Sequence, residues 1–321
     1  MDLVTSYPWE KSRNILLTTH AFPDADALGS MLALGRFLEK LGKETTFVIS
    51  SDVPKSLLFL TRDKTVFTPQ TLPLGTFDLA IVLDCADKEL TRLPKSMWQN
   101  VRLVANIDHH PDNTRFGDYN LVDSNYSATA EIIYKIITNS GSSIDGFQAT
   151  AMFAGLVGDT GSFRHSNAGS KVFNIAGELL SLGANFRLIS KYLFTSKDSK
   201  QLKAWAYIIA NAKYVETFRA FVSGITGEEI NALDVNDDEF AGIVEILDTV
   251  PEANFSVFLR QRGDEVKVSL RSEHYKGVDV SALASRFGGG GHKLAAGFSI
   301  PGKLVKKDSD WYILSNPISS I

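Results

Sequence analysis

The sequence predicts an α/β protein in two parts, a parallel-sheet domain followed by a smaller α+β domain. Three observations carry that prediction. Short apolar runs alternate with amphipathic stretches through the first half, the pattern of a largely parallel sheet with helices on both faces. After about residue 215 the pattern changes to paired strands with short helices. The length of 321 residues also exceeds the usual size of a single core. The expected bounds are 1–190 for the sheet domain, 191–215 for a helical linker and 216–321 for the second domain.

In the first half, strands are expected at Ile15–Thr19, Thr45–Ile49, Leu79–Leu83 and Leu103–Ile107, and helices at Ala27–Leu41, Thr129–Thr138, Phe147–Leu156 and Lys171–Leu182. Along the first helix Leu28, Met31, Leu32, Leu38 and Leu41 recur at helical spacing, and Gly42 supplies a C-terminal cap. From Phe186 to Val215 the pattern is mostly helical, with a polar break at Ser196–Lys200 that reads as a hinge. Beyond it FRAFVSGIT, ANFSVFLRQR and EVKVSLRS read as strands, the last two joined through the turn Arg262-Gly263-Asp264. The segments EFAGIVEILDTV and VDVSALASRF read as helices, the second leading into the glycine run Gly288–Gly291 and His292.

Composition narrows the function. A net charge of −4 argues against coating a long nucleic-acid duplex, while leaving room for a local basic pocket that takes a small anion. The single cysteine, Cys85, rules out an intrachain disulfide and a thiolate metal cluster, and suits a reducing cytoplasm. Ordinary apolar content, a polar N-terminal stretch and the lack of any run of about 18 apolar residues point to a protein that is not embedded in a membrane.

In a parallel sheet, ligands bind beyond the carboxyl ends of the strands. The histidines and aspartates fall there. His20, Asp24 and Asp26 follow the first expected strand, Asp84 the third, and Asp108, His109 and His110 the fourth, while Asp159 ends an apolar helical run. Any one of these aspartates is more often a helix cap or turn former than a ligand. That reading must be invoked separately for four distant segments, and it leaves unexplained why three of the six histidines lie in them. Imidazole and carboxylate without thiolate suit manganese or magnesium, with zinc, cobalt or iron open on affinity alone. A carboxylate that bridges two ions about 3.5–4 Å apart sets up phosphoester hydrolysis.

Some residues have two readings. Gly289, Gly290 and Gly291 do not form a GxGxxG pattern, and such a run is most often a flexible turn; followed by His292, Lys293 and small residues, it also lets backbone N–H groups approach an anion. Ser127 and Thr129 either reach the site or cap the helix that follows them. His165 is equally a loop residue or a substrate contact, and Cys85 is a small packed residue.

Taken together, His20-x-x-x-Asp24-x-Asp26, Asp84, the Asp108-His109-His110 triplet, Asp159 and the C-terminal GGGGH resemble the DHH phosphoesterase family, in its DHHA1 subgroup. The resemblance covers nearly the whole chain, and its two-domain length is similar to the oligoribonuclease, or nanoRNase, branch that also acts on 3′-phosphoadenosine 5′-phosphate. It implies that His20 and Asp24 hold one manganese, that Asp84 bridges two, and that Asp26, His109 and Asp159 complete the second site. His110 would face the substrate phosphate, and Asp108 would orient the histidines. The GGGGH loop with His292, and Arg271, would bind substrate across the cleft; a solvated strand-end charge is the rival reading of Arg271. The resemblance also implies a homodimer, two manganese ions with magnesium or cobalt as alternatives, and short RNA oligonucleotides or 3′-phosphoadenosine 5′-phosphate as substrates. A soluble cyclic-di-AMP phosphodiesterase and a non-catalytic nucleotide-binding module are the competing expectations.

Overall fold

The computed structural model describes residues 7–73, 75–195, 199–240, 242–308 and 310–314. Of the polar break at Ser196–Lys200, the first three positions lie outside the described residues. The chain divides into two compact units, Met1–Ser196 and Lys197–Ile321.

The first unit is built on six parallel strands: β1 (Asn14–Thr19), β2 (Glu44–Val48), β3 (Val66–Phe67), β4 (Leu79–Leu83), β5 (Val104–Asp108) and β6 (Tyr119–Val122). Their order is β3-β2-β1-β4-β5-β6, so the direction of winding reverses between β1 and β4. That reversal leaves a crevice at the carboxyl edge, where this class of sheet binds ligands. Register pairs Thr19 with Leu83 and Leu83 with Ile107, so His20, Asp84 and Asp108 leave three neighbouring strands at the same edge.

Helices follow at α1 (Ala25–Lys40), α2 (Lys95–Trp98), α3 (Thr129–Asn139), α4 (Gly146–Asp159), α5 (Ser170–Ser181) and α6 (Phe186–Ser190). Alternate residues of a strand point to opposite faces. Ile15 and Leu17 accordingly enter a large core with Leu28, Met31, Ile133, Met152, Leu156 and Leu179, whereas Leu16 joins Val48, Ala80 and Leu93 on the other side. Helices lie on both faces, as expected, but unequally. The long helices crowd one face, and the second is covered by α2 with loop residues such as Phe77 and Val101. The α1 and α4 backbones nearly touch: a Cβ on Gly29 would lie 2.3 Å from the Ala151 carbonyl oxygen.

The second unit opens with α7 (Ser199–Ala210), which contributes Ala204 and Ile208 to that unit's core. There follow β7 (Lys213–Val215), β8 (Ala220–Ile225), α8 (Gly227–Leu233), α9 (Ile243–Leu247), β9 (Phe255–Arg262), β10 (Glu265–Arg271), α10 (Val280–Ser285), β11 (Gly290–His292), β12 (Ala295–Pro301), β13 (Lys303–Lys307) and β14 (Asp310–Leu314). Six strands form a mixed sheet in the order β11-β12-β10-β9-β8-β7, with only β8 and β9 parallel among its neighbours. The helix expected over EFAGIVEILDTV is shorter, because Gly242 takes a φ of +85° against the Trp205 ring and α9 starts only after it. The glycine run differs from a flexible turn too. Gly290–His292 is the edge strand β11, and a Cβ on Gly289 would fall 2.2 Å from the Gly297 carbonyl oxygen. Close backbone packing accounts for glycine there.

Candidate metal centre

Asp24 ends the turn after β1 as the N-cap of α1, its Oδ1 accepting the N–H groups of Asp26 (3.0 Å) and Ala27 (2.9 Å). The capping reading therefore holds for Asp24, but it does not exhaust the residue. His20, Asp24 and Asp84 present ligand atoms within 4.8 Å of one another. The same spacing gathers Asp26, His109 and Asp159, and also Asp84, Asp108 and His110.

Asp84 stands between these groups. Its Oδ2 lies 3.9 Å from His20 Nε2, and its Oδ1 lies 3.5 Å from His109 Nε2. The residue sits just past β4 with a φ of +52°, a conformation that Asp tolerates better than most side chains. Thr129 donates its hydroxyl to Asp84 Oδ1 at 2.9 Å. On the other side of the group, His109 Nε2 meets Asp159 Oδ2 at 2.8 Å.

Asp26 is fully buried and reaches across the unit. Its carboxylate accepts the N–H groups of Thr129 (2.6 Å) and Ala130 (2.9 Å), capping α3 from 103 residues away. The cap of α3 therefore comes from neither Ser127 nor Thr129, since Ala128 holds the N-cap position with no side-chain bond. A Cβ on Gly155 would stand 2.5 Å from Asp26 Oδ1, so α4 needs glycine where Asp26 rests on it.

The histidines are oriented by their second nitrogens. A carbonyl oxygen only accepts, so His20 Nδ1 donates to Ala21 (2.9 Å) and His109 Nδ1 to Tyr126 (3.3 Å), which directs Nε2 of each toward the carboxylates. His110 Nδ1 bonds Asp108 Oδ1 at 2.8 Å. Asp108 is saturated: Oδ1 also takes the His109 N–H (2.8 Å), and Oδ2 takes the Asn113 amide (2.6 Å). It positions neighbours and has both oxygens engaged.

Burial and the nearby charge of Asp24 push the Asp84 carboxyl up to about 6, and burial with Asp84 and Asp159 holds Asp26 well above the usual carboxylate range. Burial disfavours the charged form of His110, yet its bond to Asp108 and the charge of Asp84 outweigh this and raise it to about 9. His109 is raised as well: Asp159 overcomes the cost of burial. Buried carboxylates that repel one another, faced by imidazole Nε2 atoms, are a donor set that divalent cations fit.

Of the two readings of Thr129, the one in which it reaches the site holds, through its bond to Asp84. Asn113 is a site residue that no sequence signal marks. Asn113 joins Asp108, Asn106 and the Cys85 carbonyl through one amide. Cys85 is buried, and burial raises its thiol far above the ordinary range, consistent with a packed residue. His165 is a loop residue, with Nδ1 3.4 Å from the Asp159 carbonyl and its ring against Gly161.

The remaining expected residues lie in the second unit. Arg271 pairs with Glu245, Nη2 to Oε1 at 3.0 Å. Register places Arg271 opposite Ala295 and Ala295 opposite His292, so the two basic side chains share one row of the sheet with a small residue between them. Gly289, Gly290 and Gly291 run into that row.

Residues 14–157 match the model of the DHH family, N-terminal domain, and residues 198–309 that of the DHHA1 domain. The chain is similar to the bifunctional oligoribonuclease and PAP phosphatase NrnA of Thermus thermophilus, at 33% identity over 92% of this chain and 90% of the relative. The protein of the same name from Bacillus subtilis is 29% identical over 89% of each chain. Among solved structures, an exopolyphosphatase-related protein from Bacteroides fragilis shares the fold with a TM-score of 0.83 at 24% identity, covering 92% of this chain and 89% of that one.

Proposed function

The chain belongs to the DHH phosphoesterase family, with a DHH N-terminal domain followed by a DHHA1 domain, and we propose that it hydrolyses the phosphodiester bonds of very short RNA. Dinucleotides, linear diadenylate included, are converted to mononucleotides, and 3′-phosphoadenosine 5′-phosphate loses its 3′-phosphate. The names of the relatives support both activities. Within the chain, one observation carries the reading: Asp84 faces His20 at 3.9 Å and His109 at 3.5 Å, a carboxylate placed to serve two ligand groups.

When bound, two divalent ions, manganese with magnesium or cobalt as substitutes, supply Lewis acidity at the phosphoryl oxygens and an activated water. We assign His20, Asp24 and Asp84 to one ion, and Asp26, Asp84, His109 and Asp159 to the other. His110 is assigned to the substrate phosphate. Asp108 holds the His110 Nδ1 at 2.8 Å and orients the ring, whose raised pKa, about 9, keeps the imidazolium a proton donor for a phosphoryl oxygen near neutral pH. Asp108 fixes the imidazole, and Asn113 fixes Asp108. Arg271, His292 and the backbone of Gly289, Gly290 and Gly291 are assigned to substrate binding by the second domain.

Among the described residues no helix is long and apolar enough to cross a membrane. A cytoplasmic location and a homodimer complete the proposal, and sedimentation of the purified protein tests the dimer. The activity is tested by turnover of a diribonucleotide, 3′-phosphoadenosine 5′-phosphate, cyclic di-AMP and pyrophosphate side by side with manganese. Release of mononucleotides from the dinucleotide is the expected result. Preference for cyclic di-AMP would replace the substrate assignment, and no turnover of any of the four would refute the enzyme.

A further inference from the structure

Phe22 stands between two residues of the metal centre, His20 and Asp24, yet the reaction just described makes no use of it. Its ring is 51% exposed. Its backbone has a φ of +58°, uncommon for a bulky side chain, although the following Pro23 favours extended backbone at this position. Arg92, in the loop after β4, also has a positive φ, +51°, and holds its guanidinium 5.5 Å from the centre of the Phe22 ring.

Three hydrogen bonds secure this arrangement. The Ala21 N–H donates to the Leu90 carbonyl at 2.8 Å, the Phe22 N–H to Ser51 Oγ at 3.0 Å, and Ser50 Oγ to the Thr91 carbonyl at 2.7 Å. Loops following β1, β2 and β4 are thereby tied together at the carboxyl edge of the sheet. Left-handed backbone at two residues other than glycine, asparagine or aspartate costs stability, and such strain persists where the surroundings enforce it, often at ligand sites. What the strain achieves here is a half-exposed aromatic ring beside an exposed guanidinium, two residues from each of two ligands of the metal centre.

Flat π-surfaces stack on such a ring, and a guanidinium beside it attracts phosphate. We propose that Phe22, with Arg92, forms a base-stacking subsite for the nucleoside next to the phosphate that reacts at the metal centre. The inference rests on the phosphodiesterase reading and adds to it a residue that discriminates nucleotides from other phosphoesters.

The test compares the wild type with Phe22→Ala, Phe22→Trp and Phe22→Gly on diadenylate and on an analogue in which one base is replaced by hydrogen. Phe22→Ala should raise KM for diadenylate roughly tenfold, the loss of one stacked base. The turnover number and the manganese titration should not move, and Phe22→Trp should restore KM. The analogue, with no base to stack at the subsite, should show the same KM with wild type and Phe22→Ala. Equal KM values for diadenylate in wild type and Phe22→Ala, or parallel losses on both compounds, would overturn the subsite. Phe22→Gly relieves the backbone and should melt at or above the wild-type temperature while sharing the KM defect; a lower melting temperature would assign the ring to stability instead. If the wild type turns over no phosphoester, the enzyme reading fails separately. Binding of adenosine monophosphate to manganese-loaded wild type and Phe22→Ala then decides the subsite, weaker binding to the variant supporting it and equal binding refuting it.

Discussion

At the scale of single residues, the metal centre is a problem of buried negative charge. Asp26 and Asp84 are at most 2% exposed; burial and the charge of Asp84 raise the pKa of Asp26, and burial with Asp24 and Asp159 raises that of Asp84. Replacing Asp84 by Ala removes both the bridging donor and part of the repulsion. Turnover should be lost, while the metal-free protein melts at or above the wild-type temperature; near-normal turnover would refute the bridging role. Thr129→Val deletes the hydroxyl that bonds Asp84 and should lower activity about 10–100-fold, the usual scale for a partner of a ligand. The sign of the pH dependence follows from the same burial. A proton on Asp84 competes with metal below about pH 6, and His109 must lose the proton that Asp159 helps it keep. Manganese affinity should therefore climb between pH 5.5 and 8, with proton release visible as a buffer-dependent heat in calorimetry; a flat affinity without proton release would contradict the assignment.

At the scale of elements, glycine decides where helices meet. Gly155 lies under Asp26, and a methyl group there would collide with Oδ1 at 2.5 Å and with the Ala130 Cβ at 2.8 Å. Gly155→Ala should displace the start of α1, weakening manganese binding and turnover together. Gly177, on the exposed side of α5, meets nothing within 4 Å, so Gly177→Ala should leave activity intact and add up to about 1 kcal/mol by helix propensity. Thermal melts and kinetics on the pair separate the two roles. Asp145 gives the corresponding capping case: its Oδ1 accepts the Gln148 N–H at 2.9 Å, and Gln148, Arg36 and Lys40 hold its pKa down against the effect of burial. A depressed carboxylate stabilises the fold above its unfolded pKa and loses that contribution as pH falls through the folded value. Asp145→Ala should thus cost about 1 kcal/mol at neutral pH, with the difference shrinking in acid below about pH 4.

The legible elements share one property. β1, β4 and β5 are largely buried and carry short apolar runs, Ile15–Leu17, all of Leu79–Leu83, and Val104, Ala105 and Ile107 around Asn106, whereas β6 is a four-residue edge strand whose Tyr119 is exposed, with no such run to mark it. The ligand candidates were visible because histidine and aspartate are conspicuous at strand ends. Thr129 was visible as a candidate but not its partner, 45 residues away, and Asn113 was not visible at all, because an amide in the loop after β5 leaves no periodic signal. Likewise the glycines of β11 gave a composition without a geometry. Only the pairing with β12 shows which positions lack room for a side chain.

At the scale of the whole molecule, the proposed ligands run from His20 to Asp159, and all of them lie in the first unit. That unit has its own core, and the second unit has two others formed by different residues. Metal that binds only the folded first unit should stabilise it by mass action, about 2.7 kcal/mol at a hundredfold excess over the dissociation constant. The gain should be local. The N-termini of α1 and α3 and the C-terminus of α4 converge on the site, so their amides should exchange more slowly with manganese present, while peptides from 199–314 keep their metal-free rates. Hydrogen exchange read by mass spectrometry checks this, with Asp84→Ala as the control that should lose the protection. Equal protection of both units by manganese would mean that the second unit also takes part in holding the ions, and the ligand set assigned to the first unit alone would have to be abandoned.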